Sequence, residues 1–103
     1  MPPIIQHDRS AHRFSTLVDG ALCELDYTLT SGLTSGLTSG LAADVMTITH
    51  TGVPSAVGGR GIAAALVQQA FATARSEGWR VVPACSYAAA WLERHPEYRV
   101  LVA

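Results

Sequence analysis

The sequence predicts an α+β domain, one mostly antiparallel central sheet flanked by two helices. Three observations carry that prediction. Asp19-Gly20 favours a tight hairpin turn, and after it Ala21, Cys23, Leu25, Tyr27 and Leu29 alternate with Glu24, Asp26 and Thr28. Ile62, Leu66 and Ala70, flanked by Ala65, Phe71 and Ala74, form an apolar stripe at helical spacing. A short apolar strand and a second helical stretch follow, so the order is strands, helix, strand, helix.

The elements can be justified in chain order. Residues 1–11 are Pro-rich and polar, and are expected to be a flexible N-terminus; the domain proper spans 12–103. The hairpin strand 12–18 alternates less clearly than the strand it precedes. Leu-Thr-Ser-Gly then occurs three times in succession from Leu29 to Gly40. A period of four is too short for a solenoid, and the Gly/Ser content predicts an expanded loop at 30–41. Asp44–Thr51 reads as a central strand, with Met46, Ile48 and His50 on one face and Val45, Thr47 and Thr49 on the other. Gly52-Val53-Pro54-Ser55 breaks it. A helix is expected from about Arg60 to Glu77, stopped by Gly78. Trp79–Val82 is a short strand ending at Pro83. Ser86 is placed to cap a helix over Ser86–Arg94, which His95-Pro96 ends. Tyr98–Val102 is expected to add a last strand.

Length and composition exclude several classes. The 103 residues make one domain with one core, and 49% apolar residues suffice to fill it. A formal net charge of −1 argues against a nucleic-acid surface. No apolar stretch approaches bilayer-spanning length. Met1-Pro2-Pro3-Ile4-Ile5 lacks the basic-then-apolar pattern of a signal peptide. Cys23 and Cys85 are accordingly expected as free thiols in the cytoplasm.

The run Gly58-Gly59-Arg60-Gly61-Ile62-Ala63 carries the chemistry. Glycines let the backbone aim its N–H groups outward, and the helix behind adds unpaired N–H groups and a positive dipole end. Such a site suits phosphate. It is not G-x-x-x-x-G-K-[ST], so it is not an ATPase loop. Gly59, Gly61 and Ala64 fit G-x-G-x-x-A, but Pro54-Ser55-Ala56 upstream is no strand, and the next strand ends at Val82-Pro83 without an acid. A dinucleotide fold is therefore excluded. A plain glycine turn starting a helix is the alternative.

Four separated motifs complete the pattern: His50-Thr51-Gly52-Val53-Pro54, Gly59-Arg60-Gly61-Ile62-Ala63, Val82-Pro83-Ala84-Cys85 and His95-Pro96-Glu97-Tyr98. In this order and spacing the chain resembles the small, single-domain branch of the GNAT N-acetyltransferase superfamily, over nearly its whole length. The resemblance implies a GNAT-like fold that takes acetyl-coenzyme A as co-substrate, uses no metal, and transfers acetyl to an amine, either a small molecule or a protein lysine. It implies cofactor contacts at Thr51, Val53, Gly58, Gly59, Arg60, Gly61, Ile62, Ala63, Ser86 and Arg94, and a monomer or weak dimer with no membrane or nucleic-acid partner. Two departures stand out. The superfamily pattern [QR]-x-x-G-x-[GA] has Gly58 at its first position here, and the acid often found within H-T-E-V-P is Gly52. A coenzyme A-binding module with little activity is the alternative function.

The resemblance also places catalysis at Cys85 and His50. Cys85 precedes a helix, where a thiol's pKa falls, and is either an acetyl-accepting nucleophile or a packing residue. His50 is either a general base or a core-edge histidine. Tyr87 aligns loosely with a tyrosine that protonates the departing thiolate.

Overall fold

The computed structural model describes residues 4–31 and 43–103. The first of these stretches folds as three antiparallel strands, β1 (Gln6–Asp8), β2 (Arg13–Val18) and β3 (Ala21–Thr30). Asp19 and Gly20 adopt φ of 49° and 76°, the paired left-handed values of a two-residue hairpin turn. The expected alternation of β3 holds, with Cys23, Leu25 and Tyr27 buried. β1 departs from the flexible segment expected over 1–11. It pairs with β2 as Gln6↔Ser15, His7↔Phe14 and Asp8↔Arg13. Long-range contacts that local sequence does not reveal hold it there. The His7 ring stacks on Phe14 at 4.0 Å and bonds the Tyr27 hydroxyl at 2.6 Å. The expected loop at 30–41 falls almost wholly outside the described residues.

β4 (Val45–Gly52) lies antiparallel to β3, and β5 (Arg80–Pro83) lies parallel to β4, giving a mixed sheet in the order β1-β2-β3-β4-β5. A bulge interrupts the β3–β4 ladder. Asp26 pairs with His50 and Tyr27 with Ile48, so Thr49 is the extra residue. An extra residue reverses the facing of all that follows. Met46 and Ile48 are buried, whereas His50 shares the face of its partner Asp26, and Thr51 shares the face of its partner Leu25. This corrects the expectation that His50 faces with Met46 and Ile48.

α1 (Ile62–Glu77) buries Ile62, Leu66, Val67, Ala70, Phe71 and Ala74. Gly78 ends it at φ 76°, with its own N–H and that of Trp79 returning to the last turn. α2 (Ser86–Arg94) packs beside it through Phe71 and Trp91, stacked at 5.1 Å. Both helices and the inner sheet face share one core. Two end assignments differ from expectation. Cys85, not Ser86, occupies the N-cap of α2. Tyr98–Val102 is no strand: Pro96–Leu101 is a 3₁₀ turn, and only Val102 bridges, to Val81. Tyr98 is drawn inward instead, 5.6 Å from Phe71 and 5.3 Å from Trp91, with the Arg75 guanidinium 4.6 Å above its ring.

Candidate functional site

The site is built where β4 and β5 part. Their parallel ladder ends at Ile48↔Pro83, while β4 stays paired with β3 as far as Gly52. Beyond that point the chain of β5 turns away, with the Cys85 N–H still bonded to the Ile48 carbonyl at 2.9 Å. Both strands run towards the same edge, so their carboxyl ends and both following helix starts gather there. In parallel α/β arrangements this is the edge where ligands bind.

The glycine run forms one side of it. A 3₁₀ turn, Ser55–Val57, leads into Gly58, and Gly59 and Gly61 adopt φ of 78° and 77°. Gly61 is the N-cap of α1, and neither a side-chain cap nor an acid in the first turn answers the first amides. Their N–H groups have no partner within the helix. Nothing stands within 4 Å of where a Cβ on Gly59 or Gly61 would be, so the backbone there is open to an approaching ligand. These features fit a phosphate group. Ile62 contributes its amide alone, because its side chain is buried. Arg60 is not aimed only at solvent: its Nη1 lies 2.6 Å from Asp19 Oδ2 on the β2–β3 turn. Asp19 is a contact that sequence reading did not name.

Cys85 forms the other side. It is half-buried against the core, and its Sγ lies 3.5 Å from the Thr51 hydroxyl. Burial opposes ionisation of the thiol, but the Thr51 hydroxyl and the N–H groups of Ala88, Tyr87 and Thr51 outweigh it. The thiol therefore titrates below its ordinary value. The thiol lies at the α2 N-terminus without closing a capping bond, so the effect is that of several oriented dipoles. Thr51, named as a cofactor contact, is thus also the neighbour of the thiol. Cys23 is fully buried.

The structure does not bring His50 and Cys85 together. Cys85 meets Thr51 on the core face, whereas the bulge turns His50 to the opposite face, beside Asp26 and Glu24. Val53 packs partly buried just after β4, Ala63 is half-buried in the first turn of α1, and Ser86 is exposed beside Cys85. Arg94 is exposed at the last residue of α2, about 13 Å along the helix axis from Cys85. Tyr87 is exposed. Glu24, Asp26 and His50 place donor atoms within 4.8 Å of one another, but Arg13 already contacts both carboxylates, at 3.5 and 2.6 Å. Two open clefts, of about 720 and 430 Å³, lie along the β1–β2 edge instead, lined by residues such as Arg9, Arg13 and Leu22. Neither touches the glycine run.

Comparison with known proteins agrees with this layout. Residues 13–101 match the family described as GCN5-related N-acetyl-transferase. Among solved structures, a GCN5-like protein from Staphylococcus aureus superposes with a TM-score of 0.65 at 24% identity, over 97% of this chain and 87% of that one. A ribosomal-protein-alanine N-acetyltransferase from Brucella melitensis biovar Abortus 2308 gives 0.51 at 21% identity, over 93% of this chain and 65% of that one. These two likenesses bear on the fold. With a mixed sheet that opens beside an uncapped glycine loop, and a family match across nearly all of its length, the chain belongs to the GCN5-related N-acetyltransferase family.

Proposed function

We propose that the chain binds acetyl-coenzyme A and transfers the acetyl group to an amine by direct attack, without a covalent intermediate on the protein. The acceptor is a small-molecule amine or a protein lysine. The observation that supports this most is the parting of β4 and β5 next to the uncapped start of α1. Backbone amides of Gly59 to Ala63 would hold the pyrophosphate, with Arg60 adding a charge once it leaves Asp19. The β5-facing edge of Thr49–Gly52 would present backbone groups to the pantetheine arm. When bound, acetyl-coenzyme A supplies the activated thioester.

The placement of His50 and Cys85 on opposite faces favours direct attack. A histidine that cannot reach the thiol does not activate it, whereas on its own face it can serve as base for an incoming ammonium group. Cys85 then packs beside the coenzyme. Its lowered pKa favours the other reading, a thioester relay. Two free thiols fit a cytoplasmic setting.

Calorimetric titration with acetyl-coenzyme A, followed by mass spectrometry of protein and amine products, tests the proposal. Binding and acetylated amine are expected. Binding without transfer would make the chain a coenzyme A-binding module, for which the glycines at positions 52 and 58 give a reason. A hydroxylamine-labile acetyl group on Cys85 would establish the relay.

A further inference from the structure

The sheet face turned away from the core holds a second group of titratable side chains. On β3, Asp26 is the cross-strand partner of His50, and Glu24 is the partner of Gly52. Residues paired across strands share a face, and diagonal neighbours remain within reach of long side chains. Donor atoms of Glu24, Asp26 and His50 accordingly lie within 4.8 Å of one another.

The two carboxylates are not equivalent. Asp26 is committed to Arg13, whose Nε donates to it at 2.6 Å. Glu24 stands farther from that guanidinium, at 3.5 Å. Gly52 explains how the imidazole reaches Glu24. A Cβ on Gly52 would stand 2.8 Å from His50 Nε2, closer than real side chains come. The ring thus lies across the bare backbone of the residue that faces Glu24. Any side chain at position 52 would push it off.

We propose that Glu24 is the positioning carboxylate of His50, keeping the imidazole over Gly52 so that Nε2 takes the proton of the acceptor's ammonium group. The inference rests on the acetyl-transfer reading above. In balance, the ammonium gives one proton to Nε2, which passes it to water. The freed amine nitrogen bonds to the acyl carbon, the carbon–sulfur bond breaks, and the second nitrogen proton ends on the departing thiolate. The charged groups facing His50 are Glu24 and Asp26 from β3 and Arg13 from β2, with Asp8 of β1 beyond Arg13. The carboxylates favour the imidazolium, and Arg13 opposes it.

The test follows His50 by proton NMR in the intact protein. Its resonance is identified by its loss in His50→Gln, and its titration is compared in wild type, Glu24→Gln and Gly52→Ala. In parallel, kcat/KM is measured against pH with acetyl-coenzyme A and a panel of primary amines. Glu24→Gln should lower the His50 midpoint by about half a unit, a fraction of the unscreened effect because Arg13 counters it. The acidic limb of kcat/KM should move by the same amount, with kcat down about tenfold. Gly52→Ala should do likewise by displacing the ring, and Glu24→Asp should recover part of both losses. A midpoint that stays in place in Glu24→Gln overturns the proposal. A midpoint that moves while the acidic limb does not also overturns it, and leaves acetyl transfer standing. Wild-type protein that binds coenzyme but acetylates no amine overturns the proposal together with the transfer reading.

Discussion

Cys85 and Thr51 offer a chemical test that needs no substrate. The thiol is stabilised as thiolate by the Thr51 hydroxyl and nearby amides, against the effect of burial. Alkylation by iodoacetamide should therefore reach half its maximal rate at a lower pH than a free cysteine does. Thr51→Val removes the hydroxyl, so its alkylation midpoint should rise; an unchanged midpoint would assign the effect to the α2 amides. If Cys85 only packs, Cys85→Ala should retain most turnover and cost on the order of 1 kcal/mol of stability. Asp19 gives a second residue-scale test. It holds Arg60 in an exposed ion pair, which contributes little to stability, at most about 1 kcal/mol. Asn tolerates the left-handed φ of 49° as Asp does, so Asp19→Asn should keep the turn and free the guanidinium. Coenzyme A should bind about two- to fivefold tighter in titration calorimetry, within that same energy. Weaker binding would mean that Asp19 orders Arg60 for the ligand rather than competing for it.

The glycine run shows how unequal the residues of a single element are. Gly61 adopts φ 77°, which costs an L-residue about 1–2 kcal/mol, so Gly61→Ala should lower stability by roughly that amount and weaken coenzyme binding further. Gly58 differs. Its φ of −66° suits any residue, and an added Cβ would meet only ordinary contacts, the nearest at 3.5 Å. Gly58→Arg should therefore fold normally and bind coenzyme A more tightly, which calorimetry and a thermal melt check together. The same distinction between local and long-range causes separates what was legible in the sequence from what was not. β3, α1 and the stop at Gly78 follow from alternation, helical spacing and one αL glycine, all written locally. The first amides of α1 were legible as an anion site for the same reason. The bulge at Thr49 was not, because a strand's own residues do not show where its partner skips one. That omission placed His50 on the wrong face. β1 and the turn at Tyr98 were hidden for a similar cause, since aromatic contacts from distant segments hold them.

At the scale of the whole molecule, one sheet face is covered by both helices and the other is bare. Leu17 and Leu22 pair across strands on that bare face, 69% and 52% exposed. One apolar pair is far short of the roughly 800 Å² per partner of a stable interface, so light scattering should report a monomer at micromolar concentration. Acid sensitivity is also a property of the whole. Burial, then Arg9, holds the His7 imidazole below its ordinary value of 6.5, so the folded chain favours the neutral ring. That contribution is complete above about pH 6.5 and is lost as pH falls below it, when the unfolded chain takes up the proton more readily. The melting temperature should drop between pH 7.5 and 5.5, and His7→Gln should flatten that slope. The bulge has a consequence for ligand design. Because successive residues of β4 point to opposite sides, a compound built along the coenzyme must branch through the sheet to engage both chemistries. An arm carrying a cation would extend to the Glu24 side, and a thiol-reactive arm to the Cys85 side. A linear bisubstrate analogue would reach one compartment and leave the other untouched.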